Sequence, residues 1–321
     1  MKFRGQQFSF LVAVFLLTMS LAVPIFSNAQ TNASCSFSTF SPPKGYSWPN
    51  PSGINDYGTI VGSLLSPPIN TVSYGRGMVR YSNGAISTYN YPNAQDTFFS
   101  RRNDAGVTVG YYDTSHPYFH GIVFSGGKVV QVDYPTGQEK DTWLYGINKW
   151  GSIVGAYLVW INGNIDTGSF KLQNGKFIHI KYPGSNSTDA LSINDNGAIV
   201  GRYSNTPLDN PAVHYHGFIF QNGTYKSIDD PQGTAQYGTQ LNDINVAGVM
   251  VGNWISEDSG GQDVPHAFIY KNGIFEHIHY PGALSTSASG INKYGTVVGT
   301  AAMPANNGFG YNVVPYRAYC K

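Results

Sequence analysis

The chain of 321 residues has a formal net charge of +1, and only 12 % of its side chains are charged. Phosphate neutralisation dominates nucleic-acid binding, so a surface this weakly charged argues against a nucleic-acid partner, and it equally argues against a polybasic membrane-binding face. The 38 glycines, the 23 tyrosines and the β-branched apolar runs predict an all-β chain with many tight turns.

At the N-terminus, Met1-Lys2-Phe3-Arg4 precedes an almost wholly apolar stretch from Phe8 to Val23, and Ser27-Asn28-Ala29 supplies small residues for cleavage. This predicts a signal peptide over 1–29, too short and wrongly flanked for a stable membrane span. Its removal takes Lys2 and Arg4, which changes the net charge from +1 to −1. No later stretch approaches the roughly 18 apolar residues of a span. The mature chain is therefore expected to be secreted or periplasmic, with no membrane span. Cys35 lies too far beyond the apolar core to be a lipid-anchored cysteine.

From residue 54 onward one phrase recurs: Ile54-Asn55-Asp56-Tyr57-Gly58, Asn103-Asp104-Ala105-Gly106, Ile147-Asn148-Lys149-Trp150-Gly151, Ile193-Asn194-Asp195-Asn196-Gly197, Ile244-Asn245-Val246-Ala247-Gly248 and Ile291-Asn292-Lys293-Tyr294-Gly295. The repeated Asn at 55, 103, 148, 194, 245 and 292 gives spacings of 48, 45, 46, 51 and 47 residues. A period of that length marks a propeller or solenoid, whose units cannot bury their apolar faces alone.

The fourth unit displays the pattern. Ala190 to Ile193 is a predicted strand, Asn194 to Gly197 a turn, and Ala198 to Tyr203 a second strand. A long polar loop runs from Ser204 to Tyr215. His216 to Phe220 and Tyr225 to Asp229 then pair across the Asn222-Gly223 hairpin, and Pro231 ends the ladder. Four antiparallel strands per repeat is a propeller blade. An open solenoid of such units would expose aggregation-prone edges, which ring closure avoids.

The termini predict how the ring closes. Phe37-Ser38-Thr39-Phe40-Ser41-Pro42-Pro43 reads like Ile86-Ser87-Thr88-Tyr89-Asn90-Tyr91-Pro92, a fourth strand, and Arg317-Ala318-Tyr319 reads like His266-Ala267-Phe268, the start of a third. The last blade would take three strands from the C-terminus and its outer strand from the N-terminus. Residues 30–321 are thus expected to form a single six-bladed β-propeller. Cys35 and Cys320, the two cysteines of the chain, fall on neighbouring strands of that composite blade, and in an exported protein they should pair as a clasp.

The combination of Ile-Asn-(Asp/Lys)-x-Gly-x-Ile-Val-Gly, His-(Gly/Ala)-Phe and Tyr-Pro-Gly resembles the extracellular HAF-repeat family. Its His-Ala-Phe core stands as His266-Ala267-Phe268, with variants His216-Gly217-Phe218 and His120-Gly121-Ile122. Arg76-Gly77-Met78 and Gly168-Ser169-Phe170 depart from it by lacking the histidine. The resemblance covers nearly the whole mature chain. It implies an exported β-repeat protein and carries over no catalytic residues.

Several residues are candidates for chemistry. His120, His216 and His266 stand one per repeat at the start of the third strand, with Arg76 and Arg317 read at the same register. Zinc ligands must converge on one point, so a shared structural hydrogen bond is expected there. His277 and His279 lie two apart on one strand and could chelate, but their counterparts Ser227 and Asp229 suggest a solvated edge face. His214-Tyr215-His216, at a loop end, is the remaining metal candidate. No metal and no cofactor are expected. Among carboxylates, Asp96, Asp141 and Asp189 each precede a first strand, where two of them could cooperate as acid and base or simply cap local turns. HExxH, P-loop, dinucleotide and EF-hand signatures do not occur.

An asymmetry between the two faces carries the functional expectation. Turns between strands one and two, and between three and four, are short and uniform. Connections from strand two to three are long and unlike one another: Ser63 to Gly75, Asp113 to Phe119, Leu158 to Thr167, Ser204 to Tyr215, Ile255 to Pro265 and Ala301 to Val314. Variable loops on a rigid scaffold are where recognition is placed. The second strand ends in Tyr112, Tyr157, Tyr203 and Trp254, with Trp143 and Trp160 flanking, and these aromatics beside Asp141 and Asp189 suit a sugar or peptide. The same register could instead pack between blades. The expectation is a monomeric, non-catalytic binding or scaffold protein recognising a glycan or protein through the long-loop face. The alternative is a carbohydrate-active hydrolase or lyase at the central mouth of that face, by analogy of fold alone, and a purely structural surface protein stays open.

Overall fold

Each Asn-x-x-Gly phrase folds as a tight turn whose Asn side chain bonds in two directions. The turn glycine takes a positive φ, 75° at Gly58 and 81° at Gly197, which a residue with a Cβ adopts only at a cost. Asn55 Oδ1 accepts from the backbone N–H of Tyr57 at 3.1 Å and of Thr59 at 2.9 Å. The same two bonds recur at Asn148, Asn194, Asn245 and Asn292. The Nδ2 group reaches the next repeat instead. Asn55 donates to Asn103 O, Asn103 to Asn148 O, Asn148 to Asn194 O, Asn194 to Asn245 O and Asn245 to Asn292 O. Asn292 donates back to Asn55 O at 3.3 Å and closes the circle. All of these asparagines are buried, where an unmade hydrogen bond would be expensive.

The computed structural model describes residues 30–68, 73–114, 118–135, 141–161, 164–210, 212–233, 238–305 and 310–321, and the signal peptide expected over 1–29 lies outside them. Two short strands come first, β1 (Gln30–Asn32) and β2 (Cys35–Thr39). Four antiparallel four-stranded sheets follow in chain order. The first is β3 (Ser47–Ile54), β4 (Ile60–Leu65), β5 (Gly75–Arg80) and β6 (Ile86–Tyr89), and the second is β7 (Asp96–Arg102), β8 (Thr108–Asp113), β9 (Phe119–Ser125) and β10 (Lys128–Gln131). The third is β11 (Thr142–Ile147), β12 (Ile153–Ile161), β13 (Asn164–Gln173) and β14 (Lys176–Ile180), and the fourth is β15 (Ser187–Ile193), β16 (Ile199–Ser204), β17 (His216–Gln221) and β18 (Thr224–Ile228). The remaining strands are β19 (Thr239–Ile244), β20 (Met250–Glu257), β21 (Asp263–Lys271), β22 (Ile274–Ile278), β23 (Ser285–Ile291), β24 (Thr296–Pro304) and β25 (Tyr311–Cys320).

These last strands depart from six separate blades. They form one nine-stranded sheet, because a single parallel bridge between His266 and Thr286 joins β21 to β23, and β1 adds in parallel outside β22. The chain is all-β and propeller-like, with four separate sheets and one merged one. The innermost strands β3, β7, β11, β15, β19 and β23 neighbour one another in a closed circle. Among the described residues no helix is long and apolar enough to cross a membrane.

The core explains the rest of the repeated phrase. Val61, Val109, Val154, Val200, Val251 and Val298 are all 0 % exposed. The glycine that follows each valine lies where strand one bulges inward. A Cβ on Gly201 would fall inside 3.0 Å of Asp189 O, so no side chain fits. Opposite that glycine the third strand inserts its largest side chain: Phe218 faces Gly201, Phe268 faces Gly252 and Tyr316 faces Gly299. This register corrects the sequence alignment of the last repeat. Tyr316, not Tyr319, stands where the phenylalanine stands elsewhere, so Arg317 does not occupy the histidine register.

The N-terminal strand β2 pairs antiparallel with β25, in the register Cys35↔Cys320 to Thr39↔Tyr316, and the two cysteines are bonded. Three of the long connections are extended ladders where loops were expected. Pairing continues to Ile161↔Asn164, Glu257↔Asp263 and Pro304↔Tyr311. Apolar and β-branched residues such as Leu158 and Val264 favour the strand there over the loop.

Candidate functional site

The ring of inner strands leaves an axis, and its lining is set by the residue two before each ring Asn: Gly53, Arg101, Gly146, Ser192, Asp243 and Gly290. Glycine and serine leave room at this register; Arg101 and Asp243 fill it. Arg101 Nη1 donates to Ser52 O and Ser100 O, and Nη2 donates to Asn242 O at 2.6 Å and Ser289 O at 2.8 Å. Its Nε lies 3.5 Å from Asp243 Oδ1. That carboxylate also accepts from Ser192 Oγ at 2.5 Å and from Ile291 N–H at 2.8 Å. One guanidinium thus ties together the inner strands of the first, second, fifth and sixth repeats. Sequence reasoning missed both residues, although two charges at a register otherwise held by Gly and Ser are a readable signal.

On the short-turn side of this plug lies a space of about 90 Å³ beneath the Asn circle. On the long-loop side a mouth of about 450 Å³ opens, lined chiefly by Asn50, Ser100, Tyr111, Tyr145, Gln240 and Asn242. Arg202 stands beside it, donating from Nε to Asp189 Oδ2 at 2.8 Å and from Nη1 to Gln240 Oε1 at 3.2 Å, with its guanidinium carbon 4.3 Å from the centroid of the Tyr215 ring. Burial opposes the charge of this guanidinium, but the Asp189 carboxylate, by its charge and its hydrogen bond, helps to outweigh it and hold Arg202 above its ordinary value. Burial pushes the Tyr111 phenol up to about 12, and burial reinforced by Asp189 pushes Tyr145 well above its usual value. Both phenols are therefore neutral hydrogen-bonding groups. No carboxylate and no histidine lines the mouth among the described residues.

The expected ligand-binding aromatics are elsewhere. Tyr112, Tyr157 and Tyr203 are buried and stack on Tyr91, Tyr134 and Tyr182 at 3.8, 3.8 and 3.6 Å. Each stack joins the Tyr-Pro exit of one sheet to the second strand of the next, so these rings pack between repeats. Trp254, 9 % exposed, stacks on His266 at 3.8 Å, and truncating it would report on packing. Trp143 is half-buried, with its ring 5.7 Å from Phe119, outside the mouth. Trp160 belongs to β12 opposite Ile165, and its side chain lies outside the described residues. Asp96 and Asp141 share a register and accept the backbone N–H of Gly75 and Phe119 on the preceding sheet. Asp189 lies two places further along its strand, facing Arg202. These three carboxylates therefore do not form one group: two are latches between sheets and the third is an ion-pair partner.

The recurring histidines are latches too. His120 Nδ1 lies 3.1 Å from Asp133 Oδ2 and His216 Nδ1 lies 3.2 Å from Asp229 Oδ2, while Gly121 and Gly217 donate to the other oxygens. In the fifth repeat the Asp register holds His279, and His266 turns to Ser256 Oγ at 2.8 Å. His277 is not on a solvated face. It is 6 % exposed, covered by β1, and its Nε2 lies 2.8 Å from Asp230 Oδ2. Asp230 stands where the exits at Tyr91, Tyr134, Tyr182 and Tyr280 carry tyrosine. Among the described residues no group of three His, Cys, Asp or Glu could hold a metal ion.

The exchange of Asp for His279 has a testable consequence. Hydrogen bonding to Asp229 raises His216 above its ordinary value, whereas burial and then the neighbouring His279 and His277 lower His266. A lowered His266 favours folding above the unfolded imidazole value of about 6.5 and loses that advantage as pH falls below it. His279→Asp should reverse the sign: His266 would titrate above about 6.5, stabilise the fold below that value, and lose the effect as pH rises through its new one. An NMR titration of His266, with melting at about pH 5 and about pH 8, reads both changes.

No family model matches the chain, and no curated protein matches it. Among solved structures it is similar to the "Crystal structure of unknown function protein" from Dyadobacter fermentans DSM 18053, with a TM-score of 0.55 at 9% sequence identity, covering 89% of this chain and 98% of that one. At that identity the likeness concerns the fold alone, which both chains share as a propeller-like all-β architecture.

Proposed function

We propose that the chain is an exported six-bladed propeller of HAF-type repeats that acts without catalysis, as a binding protein whose ligand sits on the long-loop face. The six-blade count is supported by the six-membered Asn circle and by the four-strand antiparallel ladders on either side of the His266–Thr286 bridge. Export is supported by the Cys35–Cys320 bond, since such bonds persist in oxidising compartments.

The observation that carries the binding reading is the axial mouth itself. It is roomy, rich in amide and hydroxyl groups, floored by an arginine already committed to backbone carbonyls, and free of lining carboxylates or histidines among the described residues. Such a surface can orient a polar ligand but offers no acid–base pair for hydrolysis.

Gln240→Trp should fill the mouth, whereas Trp150→Ala alters the opposite face. In glycan-array and pull-down assays, ligands held by the wild type should be lost with Gln240→Trp and kept with Trp150→Ala. Ligands that behave the other way would refute the assignment of the face. Release of reducing ends from a bound glycan would refute the non-catalytic reading.

A further inference from the structure

We infer that the ligand of this face is a neutral oligosaccharide lying in a groove that runs from the axial mouth to an aromatic rim formed by Trp48 and Tyr311; this rests on the binding reading above. The groove is a chain of adjoining depressions. Asn50 lines both the mouth and an outer hollow of about 320 Å³. Thr300 and Val313 join that hollow to a third of about 430 Å³, and Ser287 connects the third back to the mouth. Trp48 borders the second hollow and Tyr311 the third.

Trp48 is the residue that marks the groove as built for recognition. It is 50 % exposed, and its φ is +49°. A bulky residue at positive φ is an outlier, and the position before a proline, here Pro49, normally holds extended backbone. The β3–β4 register shifts between Ser47 and Asn50, so Trp48 bulges out of the ladder. A bulge re-aims a side chain, and strain of this kind persists where the surroundings use it. The indole remains half exposed. It meets Tyr311, itself 52 % exposed, edge to face with centroids 6.1 Å apart.

Two exposed rings beside amides and hydroxyls match a sugar, which presents C–H faces and hydroxyl edges together. The charges choose among sugars. Beyond Arg101, whose guanidinium is spent inside the ring, no lysine or arginine lines the groove among the described residues, and Asp258 and Asp263 border its outer end. An acidic polysaccharide would meet repulsion there, and a neutral one would not.

The test is calorimetric titration of the mature chain with cellohexaose, xylohexaose and mannohexaose, and with hexagalacturonate as the anionic comparison. At least one neutral hexaose should bind more tightly than hexagalacturonate. Trp48→Ala and Tyr311→Ala should each weaken it about tenfold, and Trp48→Phe should restore most of the loss. Trp48→Gly, which accepts positive φ freely, should also weaken binding while keeping or raising the melting temperature, an outcome that a purely structural Trp48 would not give. The inference is overturned if no neutral hexaose binds, if the anionic one binds best, or if Trp48→Ala leaves affinity unchanged. Loss of some other ligand with Gln240→Trp would then leave the binding reading standing.

Discussion

Replacing Arg101 with Ala should lower the unfolding free energy by about 3–5 kcal/mol, the range for breaking a buried ion pair from one side. The cost arises from what is left behind. Four backbone carbonyls, of Ser52, Ser100, Asn242 and Ser289, lose their donor, and the Asp243 carboxylate loses its counter-charge while buried at 5 % exposure. The contacts lie on inner strands of repeats that are far apart in sequence, so the variant also loosens the ring across its diameter. Combining Arg101→Gly with Asp243→Ser restores the residue types found at this register elsewhere, Gly53 and Ser192 among them. The double variant should cost less than the sum of the singles by about 1 kcal/mol or more, as expected for residues in contact. Urea denaturation with the Cys35–Cys320 bond intact reads all of these values. Strict additivity would show that the two charges do not act as a pair.

The turns, the strand sequence of each repeat and the meeting of β2 with β25 follow from local signals, and these were legible. Asn194 to Gly197 fits only a tight turn, and an apolar run such as Ile199-Val200 must be buried wherever its sheet ends up. The axis was not legible in the same way. Whether Arg101 or Arg102 points inward depends on the bulge between Phe99 and Arg101, which flips the strand's side-chain alternation. The aromatics misled for a related reason. A tyrosine at the end of strand two satisfies a ligand face and an inter-sheet stack equally well, and the Tyr91, Tyr134 and Tyr182 partners that decide it come from the preceding repeat. Trp48 passed unnoticed because nothing in Ser47-Trp48-Pro49 announces a positive φ. The merging of the last two sheets depends on one bridge, His266 to Thr286, which no sequence period encodes.

Removing the Cys35–Cys320 bond, by Cys35→Ser with Cys320→Ser, should destabilise the chain by up to about 5 kcal/mol in the chain-entropy account of long loops. The bond spans a sequence separation of 285, nearly the whole described chain, so it restricts the unfolded state more than any shorter link could. The folded state should respond unevenly. β2 is held to β25 by five paired residues and by Phe37, whose ring packs 5.1 Å from Tyr280 and 5.4 Å from Tyr316. Without the bond this short edge strand becomes the weakest part of the closure and should open before the rest. Hydrogen exchange of the double variant should therefore speed up first in β2 and the facing part of β25. The inner strands, fastened by the Asn292–Asn55 bond and by Arg101, should stay protected to the global limit. Uniform acceleration across all sheets would mean that the termini contribute no separable closing unit, and that the circle is held from the axis alone.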